Sequence, residues 1–164
     1  MDWLLDRVAN DRWDNLSVRY SDEFTNIERA VLALEDRRFY RHSGIEWRFV
    51  LRVIRQVISL KRPGGVSTIE QQLVRTFLER RERTISRKSR EMLLAWILSH
   101  RVSKRDIILS YLSNVYLGYK VRGVDVASNL IFCEESADLN INKAMIISAM
   151  FVYPLPKNVK LNLN

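Results

Sequence analysis

The chain has 164 residues, of which 47% are hydrophobic and 28% charged, and its formal net charge is +8. This length suits one domain with a real core, and the few glycines and prolines exclude a disordered or many-turned β chain. The lone Cys133 excludes an internal disulfide, and two histidines without a Cys or His cluster offer no zinc site. The positive charge favours anionic partners such as nucleic acid, acidic lipid or a phosphorylated substrate.

The first clear helix start is Thr25. Thr25 and Glu28 have the spacing of a capping box, and apolar residues then recur at helical intervals. This helix should carry Glu35 at its C-terminal end, which is an unfavourable place for a negative charge unless cations compensate it. Three arginines that follow at once could compensate it: Arg37, Arg38 and Arg41.

The segment after Gly44, "IEWRFVLRVIRQVISLKR", predicts a helix with a wide apolar face and an edge formed by Arg48, Arg52 and Arg55. Two interpretations stay open: an interfacial membrane helix, or a core helix with a solvated arginine row. No apolar run approaches the ~20 residues that span a bilayer. The chain as given also begins without a basic leader, so we expect it to be neither anchored nor exported by its own sequence.

Two helices are predicted in the middle of the chain. Gly64 and Gly65 lie in a loop just before a helix that Ser67 and Glu70 open as a capping box, a place where anions bind easily. The next helix covers roughly residues 85–100. Its Arg87 and Glu91 are four residues apart and would, without further context, form an ordinary surface ion pair.

The C-terminal third is predicted to be helical as well. Ser103 and Asp106 cap a helix that Gly118 closes, and two shorter helices follow over residues 123–132 and 141–151. No alternating strand pattern is visible, so the predicted fold class is all-α, mainly helical. Three large side chains of this region are predicted to be core residues: Met92, Trp96 and Tyr111.

Four separated segments carry a family resemblance: "EDRRFYRHSG", "GVSTIEQQLVR", "RKSRE" and "KRDIILSYLSNVYLG". Together they resemble, in order, the motifs of the family 51 peptidoglycan glycosyltransferases, the polymerase domain of bifunctional penicillin-binding proteins and of monofunctional transglycosylases. The resemblance runs from about Phe24 to Asn158. It implies a lysozyme-like domain over residues 23–164 with a membrane-associated helical segment, preceded by an N-terminal extension over residues 1–22.

The resemblance also implies the chemistry. The substrate would be lipid II, joined to a growing β-1,4 glycan strand with inversion. Glu35 would be the general base and Glu91 the second carboxylate on the donor side, while Arg75, Arg87 and Lys88 would face the departing pyrophosphate. The other implied substrate-binding residues are Asp36, Phe39, His42, Gly44, Ser67, Thr68, Gln71, Gln72 and Lys104.

Several points stay open at this stage. His42 is more simply a residue that fixes the turn by a hydrogen bond than a proton carrier, and Lys104 is either a surface charge or a cleft contact. Ser113 stands where the family usually has Asn, Glu70 where it has Thr or Ser, and Arg75 where it has Lys. The rival functions are a lysozyme-like hydrolase with two carboxylates and a non-catalytic module that binds lipid II.

The resemblance places the chain at the outer face of the bacterial cytoplasmic membrane. The expected partners are lipid II, the glycan strand, an anionic membrane surface and other cell-wall synthesis proteins, and nucleic acid is not expected. No cofactor is evident, although the family leaves room for a divalent cation.

Overall fold

The computed structural model of the protein describes residues 2–10, 24–59, 67–78 and 84–156. The helices of these ranges, numbered in chain order, are α1 (Asp2–Asn10), α2 (Asn26–Glu35), α3 (Trp47–Ile58), α4 (Ile69–Leu78), α5 (Ile85–Arg101), α6 (Lys104–Asn114), α7 (Val124–Phe132) and α8 (Ile141–Ala149). Two short strands, β1 (Tyr116–Gly118) and β2 (Val121–Arg122), pair antiparallel. The predicted all-α class is confirmed. Gly64 and Gly65 lie outside the described residues.

One hydrophobic core joins the helices. α2 packs against α8, and α4 packs against both α5 and α6. α1 also belongs to this core, because Leu4 and Val8 are buried in the same cluster as Ile69 and Leu98. The predicted domain boundary at residue 22 stays a prediction, since residues 11–23 lie outside the described part of the chain.

The helix starts are set by side-chain caps. The predicted capping box of α2 is confirmed: the Thr25 hydroxyl accepts from the Glu28 amide, and the Glu28 carboxylate accepts from the Thr25 amide at 2.7 Å. Ser103 caps α6 as predicted. The predicted box at the start of α4 is wrong, because Thr68, and not Ser67, accepts from the Gln71 amide at 3.3 Å.

The prediction that Gly118 closes α6 is also wrong. The helix ends at Asn114, and the chain then turns into the hairpin of β1 and β2. At Gly118 the φ angle is +147°, and an added Cβ would lie 2.5 Å from the Leu155 side chain. The glycine is therefore used for close contact with the following chain. The predicted helices at 123–132 and 141–151 are present as α7 and α8, with α8 ending two residues early.

The turn between α2 and α3 depends on Gly44. Its φ angle is +78°, and a Cβ there would lie 2.2 Å from the Ala95 carbonyl oxygen of α5. Only glycine allows this approach, which holds the turn against α5. Beyond the turn, α3 exposes 63% of Trp47 and 76% of Ile58. Within the described ranges, every helix falls short of the length and apolar character needed to cross a membrane.

Candidate active site

Glu35 lies at the last residue of α2 and is half-buried. Its Oε2 accepts a hydrogen bond of 2.8 Å from the side-chain amide of Gln72 on α4. The Gln72 carbonyl oxygen in turn accepts from the Tyr111 hydroxyl of α6, also at 2.8 Å. Burial, reinforced by the charge of Glu35, raises the pKa of Tyr111 well above its usual value, so this hydroxyl stays a donor. A donor at the carbonyl end fixes the NH₂ end of Gln72 toward Glu35.

Glu91 has a very different environment. It is 1% exposed, and three cations surround its carboxylate. Arg87 pairs with it from one turn earlier in α5, the Arg75 Nε lies 3.1 Å from Oε1, and the Lys88 ammonium lies 3.8 Å from Oε2. The interpretation of Arg87 and Glu91 as an ordinary surface pair is therefore wrong, because α4 covers this face of α5 and buries the acid.

The cations are further tied together by neutral groups. The Ser67 hydroxyl accepts from Arg75 at 3.0 Å and from Lys88 at 2.8 Å, and the Gln71 carbonyl oxygen accepts from Lys88 at 2.5 Å. Burial lowers the pKa of Lys88, and the charges of Arg75 and Arg87 add to this effect while Glu91 opposes it. One carboxylate among three cations leaves a positive pole that can hold a polyvalent anion.

Helix α4 connects the two acids. Gln72 binds Glu35 and Arg75 binds Glu91, and residues three apart on a helix are neighbours on one face. The two carboxylates therefore approach adjacent positions along one side of α4. The same helix holds the glycine turn, since Thr68 and Gln71 both donate to the Gly44 carbonyl oxygen, at 2.8 and 3.3 Å.

Behind Glu35 lies a buried charged cluster formed by Asp36, His42, Glu70 and Lys104. Asp36 Oδ2 lies 2.9 Å from His42 Nε2, so the predicted hydrogen bond of His42 in the turn is confirmed. The other ring nitrogen lies 4.0 Å from Glu70 Oε1, which pairs with the Lys104 ammonium. The interpretation of Lys104 as a solvated surface charge is therefore wrong, and its role as a cleft contact stays a prediction. The ammonium also lies 4.4 Å from the centre of the Phe39 ring.

Three members of this cluster, Asp36, His42 and Glu70, offer ligand atoms within 4.8 Å of one another and so form a candidate cation site. One oxygen of each carboxylate has a partner, while Asp36 Oδ1 and Glu70 Oε2 are buried without a hydrogen bond. The Lys104 ammonium pairs with Glu70 Oε1, and the Ile69 amide donates to Asp36 Oδ2 at 3.3 Å. The positive charge of Lys104 beside Glu70 opposes a second cation at that carboxylate, and the possible divalent cation stays a prediction.

Two further expectations are corrected. Two of the three arginines after Glu35 have other partners: Arg37 donates to the Ala33 carbonyl oxygen at 2.9 Å, and Arg38 Nε lies 3.0 Å from Glu46 Oε2. A neutral amide, Gln72, contacts Glu35 instead. The prediction of Trp96 as a core residue is wrong, because this residue is half exposed on α5 and its ring packs at a tilt against His100. Tyr111 is buried as predicted.

A family model described as Transglycosylase matches residues 4–163 of the chain. The chain belongs to the transglycosylase family. Penicillin-binding protein 2a of Streptococcus pneumoniae (strain D39) is 36% identical over 84% of this chain and 18% of its own length. Penicillin-binding protein 1A of Clostridium tetani is 36% identical over 94% of the chain and 20% of its own length, and that of Neisseria meningitidis (strain MC58) is 33% identical over 85% and 18%. The chain thus spans about a fifth of the length of these relatives.

In this member of the family, the predicted catalytic and pyrophosphate-facing residues form two connected groups around α4. One contains Glu35 with Gln72, and the other contains Glu91 with its cations, Ser67 and Gln71. Sequence reasoning missed the contact of Tyr111 with Gln72 and the pairing of Glu70 with Lys104. The sequence did contain a signal for the pairing of Glu70 with Lys104. Glu70 stands where the family usually has a hydroxyl side chain, and an acid that becomes buried there requires a cation nearby.

Proposed function

We propose that this domain is a peptidoglycan glycosyltransferase that polymerises lipid II into β-1,4 glycan strands. The observation that carries the proposal is the pairing along α4 of a half-buried carboxylate, held by a neutral amide, with a cluster of three cations. Sugar transfer from a pyrophosphate donor needs these two features. The carboxylate takes a proton from the acceptor, and the cations stabilise the leaving group.

In the proposed reaction, Glu35 takes the proton of the acceptor sugar hydroxyl as its oxygen attacks the donor anomeric carbon. The new bond joins this oxygen to that carbon with inversion. The bond from the carbon to the pyrophosphate oxygen breaks, and both of its electrons leave with polyprenyl pyrophosphate. Arg75, Arg87 and Lys88 receive the negative charge of the leaving group, while Glu91 holds these three side chains at one place.

A lysozyme-like hydrolase is less well supported. A hydrolase of finished glycan releases no pyrophosphate, so it has no use for three cations around a buried acid. A module that only binds lipid II would use the cations equally well, but it would not need the oriented carboxylate of Glu35. The three functions differ in their products: the transferase makes glycan from lipid II, the hydrolase cleaves finished glycan, and the binding module makes no product.

The test is incubation of the protein with labelled lipid II in anionic vesicles. Long strands should form, and Glu35→Gln should lower the rate at least about 100-fold. Glu134→Gln, at the partly exposed ion pair with Lys143, is the matched control and should keep the rate. Sugar fragments released from finished glycan would support the hydrolase, and saturable binding without product would support the binding module.

We further propose that α3 lies on the outer surface of the cytoplasmic membrane. It exposes Trp47, Leu51 and Ile58, and beside them a groove of about 470 Å³ is lined by Arg48, Leu51, Arg52, Arg55, Gln56 and Ser59. Apolar side chains next to arginines suit an interface with anionic headgroups. Ile58→Ser should weaken binding to anionic vesicles about 5-fold, whereas Ile141→Ser on α8 should not.

A further inference from the structure

The cluster behind Glu35 has no task in the proposed reaction, yet it is among the most buried charged groups of the described residues. Asp36 is 2% exposed and Glu70 is fully buried. Burying two carboxylates is costly unless cations and hydrogen bonds compensate them. Lys104 and His42 provide this compensation through the contacts described above.

The contacts form a continuous path toward Glu35. Lys104 pairs with Glu70, and Glu70 faces one ring nitrogen of His42. The other ring nitrogen contacts Asp36, which follows Glu35 directly in the chain. The imidazole ring is therefore hydrogen-bonded on the Asp36 side, while Glu70 lies 4.0 Å from its other nitrogen and acts on the ring through its charge.

The path also reaches the helix that binds Glu35. Asp36 Oδ2 accepts from the amide of Ile69, the first residue of α4, and Gln72 of the same helix donates to Glu35. Glu35 is thus located by two routes, through its own hydrogen bond and through the turn that follows it. Only the second route passes through the ion pair.

We propose that Glu70 and Lys104 are positioning residues for Glu35: their ion pair fixes the His42 ring against Asp36, and so fixes the turn that presents the carboxylate. Lys104 then acts through its neighbours and does not touch substrate. The kinetic part of this inference rests on the proposed function, whereas the structural part does not.

The first measurement is independent of activity. The chain has two histidines, so the ring nitrogens of His42 and His100 can be assigned by NMR. In Glu70→Gln and in Lys104→Met we expect the His42 ring signals and the Glu35 carboxyl carbon to shift, while His100 stays unchanged. Unchanged His42 and Glu35 signals in both variants would overturn the proposal, whether or not the protein is active.

The matched controls use a Lys–Glu pair that contacts neither the buried charged cluster nor Glu91. Lys143 pairs with Glu134 near α8, and both side chains are partly exposed. Lys143→Met and Glu134→Gln should leave the His42 and Glu35 signals in place. The double variant Glu70→Gln/Lys104→Met removes both charges together and guards against loss of folding, because a neutral pair replaces a buried ion pair with little cost.

The second measurement is kinetic and uses lipid II. Each single variant should lower kcat about 10-fold with KM unchanged, and the double variant should lose no more than either single variant. A raised KM in Lys104→Met that persists in the Glu70→Gln background would overturn the proposal, since Lys104 would then bind substrate. If the unmodified protein forms no glycan, the proposed function fails and the NMR result alone decides the positioning.

Discussion

The two acids of the site differ in what surrounds them. Glu35 is half-buried at the end of α2 and receives one hydrogen bond from a neutral amide. Glu91, in the second turn of α5, is almost fully buried and contacts three cations. The contacts of Glu91 are thus to positive groups, whereas the contact of Glu35 is a single neutral donor at Oε2. Under the proposed function we therefore expect the proton transfer at Glu35, and we expect Glu91 to organise the cations around it.

The largest expected effect separates the two acids by stability. Glu91→Gln leaves three cations without their partner and should cost about 3 kcal/mol of unfolding free energy. Glu35→Gln keeps an oxygen for the Gln72 amide and should change stability by about 0.5 kcal/mol or less. Urea unfolding of the two variants measures this. Equal losses would mean that the two acids are not divided between structure and chemistry.

The second effect concerns Gln72, the neutral amide that contacts Glu35. Tyr111→Phe removes the donor that orients Gln72, so the Gln72 side chain can turn its carbonyl oxygen toward Glu35. We expect stability to fall by about 1 kcal/mol because a buried acceptor loses its partner. The turnover of lipid II should fall about 10-fold. Unfolding and rate are measured together, with exposed Tyr153→Phe as the control. An unchanged rate would show that Gln72 needs no orientation.

The third effect concerns the three cations around Glu91 and depends on pH. Because the pKa of Lys88 is lowered, its charge is lost as pH rises through that value, before an ordinary lysine would lose it. Losing one cation from the cluster is worth about 1 kcal/mol, so pyrophosphate binding should weaken about 5-fold. Calorimetry across pH measures this. Lys88→Arg keeps its charge and corrects for the titration of pyrophosphate itself. An identical pH profile in Lys88→Arg would contradict the lowered pKa.

The sequence predicted the positions of these groups better than their environments. The capping box at Thr25 and the length of α2 placed Glu35 at a helix end, because both signals are local. Burial of Glu91 depends on Arg75, sixteen residues away, and the orientation of Gln72 depends on Tyr111, thirty-nine residues away. A pair four residues apart has the same spacing whether it is exposed or covered by another helix. Likewise, strands of three and two residues are too short to show an alternating pattern.

The smallest effect is expected at Ser113, where the chain departs from the family pattern. Its hydroxyl donates to the Leu109 carbonyl oxygen at 3.0 Å, one turn earlier in α6. The hydroxyl therefore has its hydrogen-bond partner within its own helix. Ser113→Asn should therefore change stability by no more than about 0.5 kcal/mol and the turnover rate by less than about 3-fold. A large gain in turnover would show that an Asn at this position reaches the site and that the serine weakens the chemistry of Glu35. An unchanged rate would leave the contrast between Glu35 and Glu91 as the feature that determines activity.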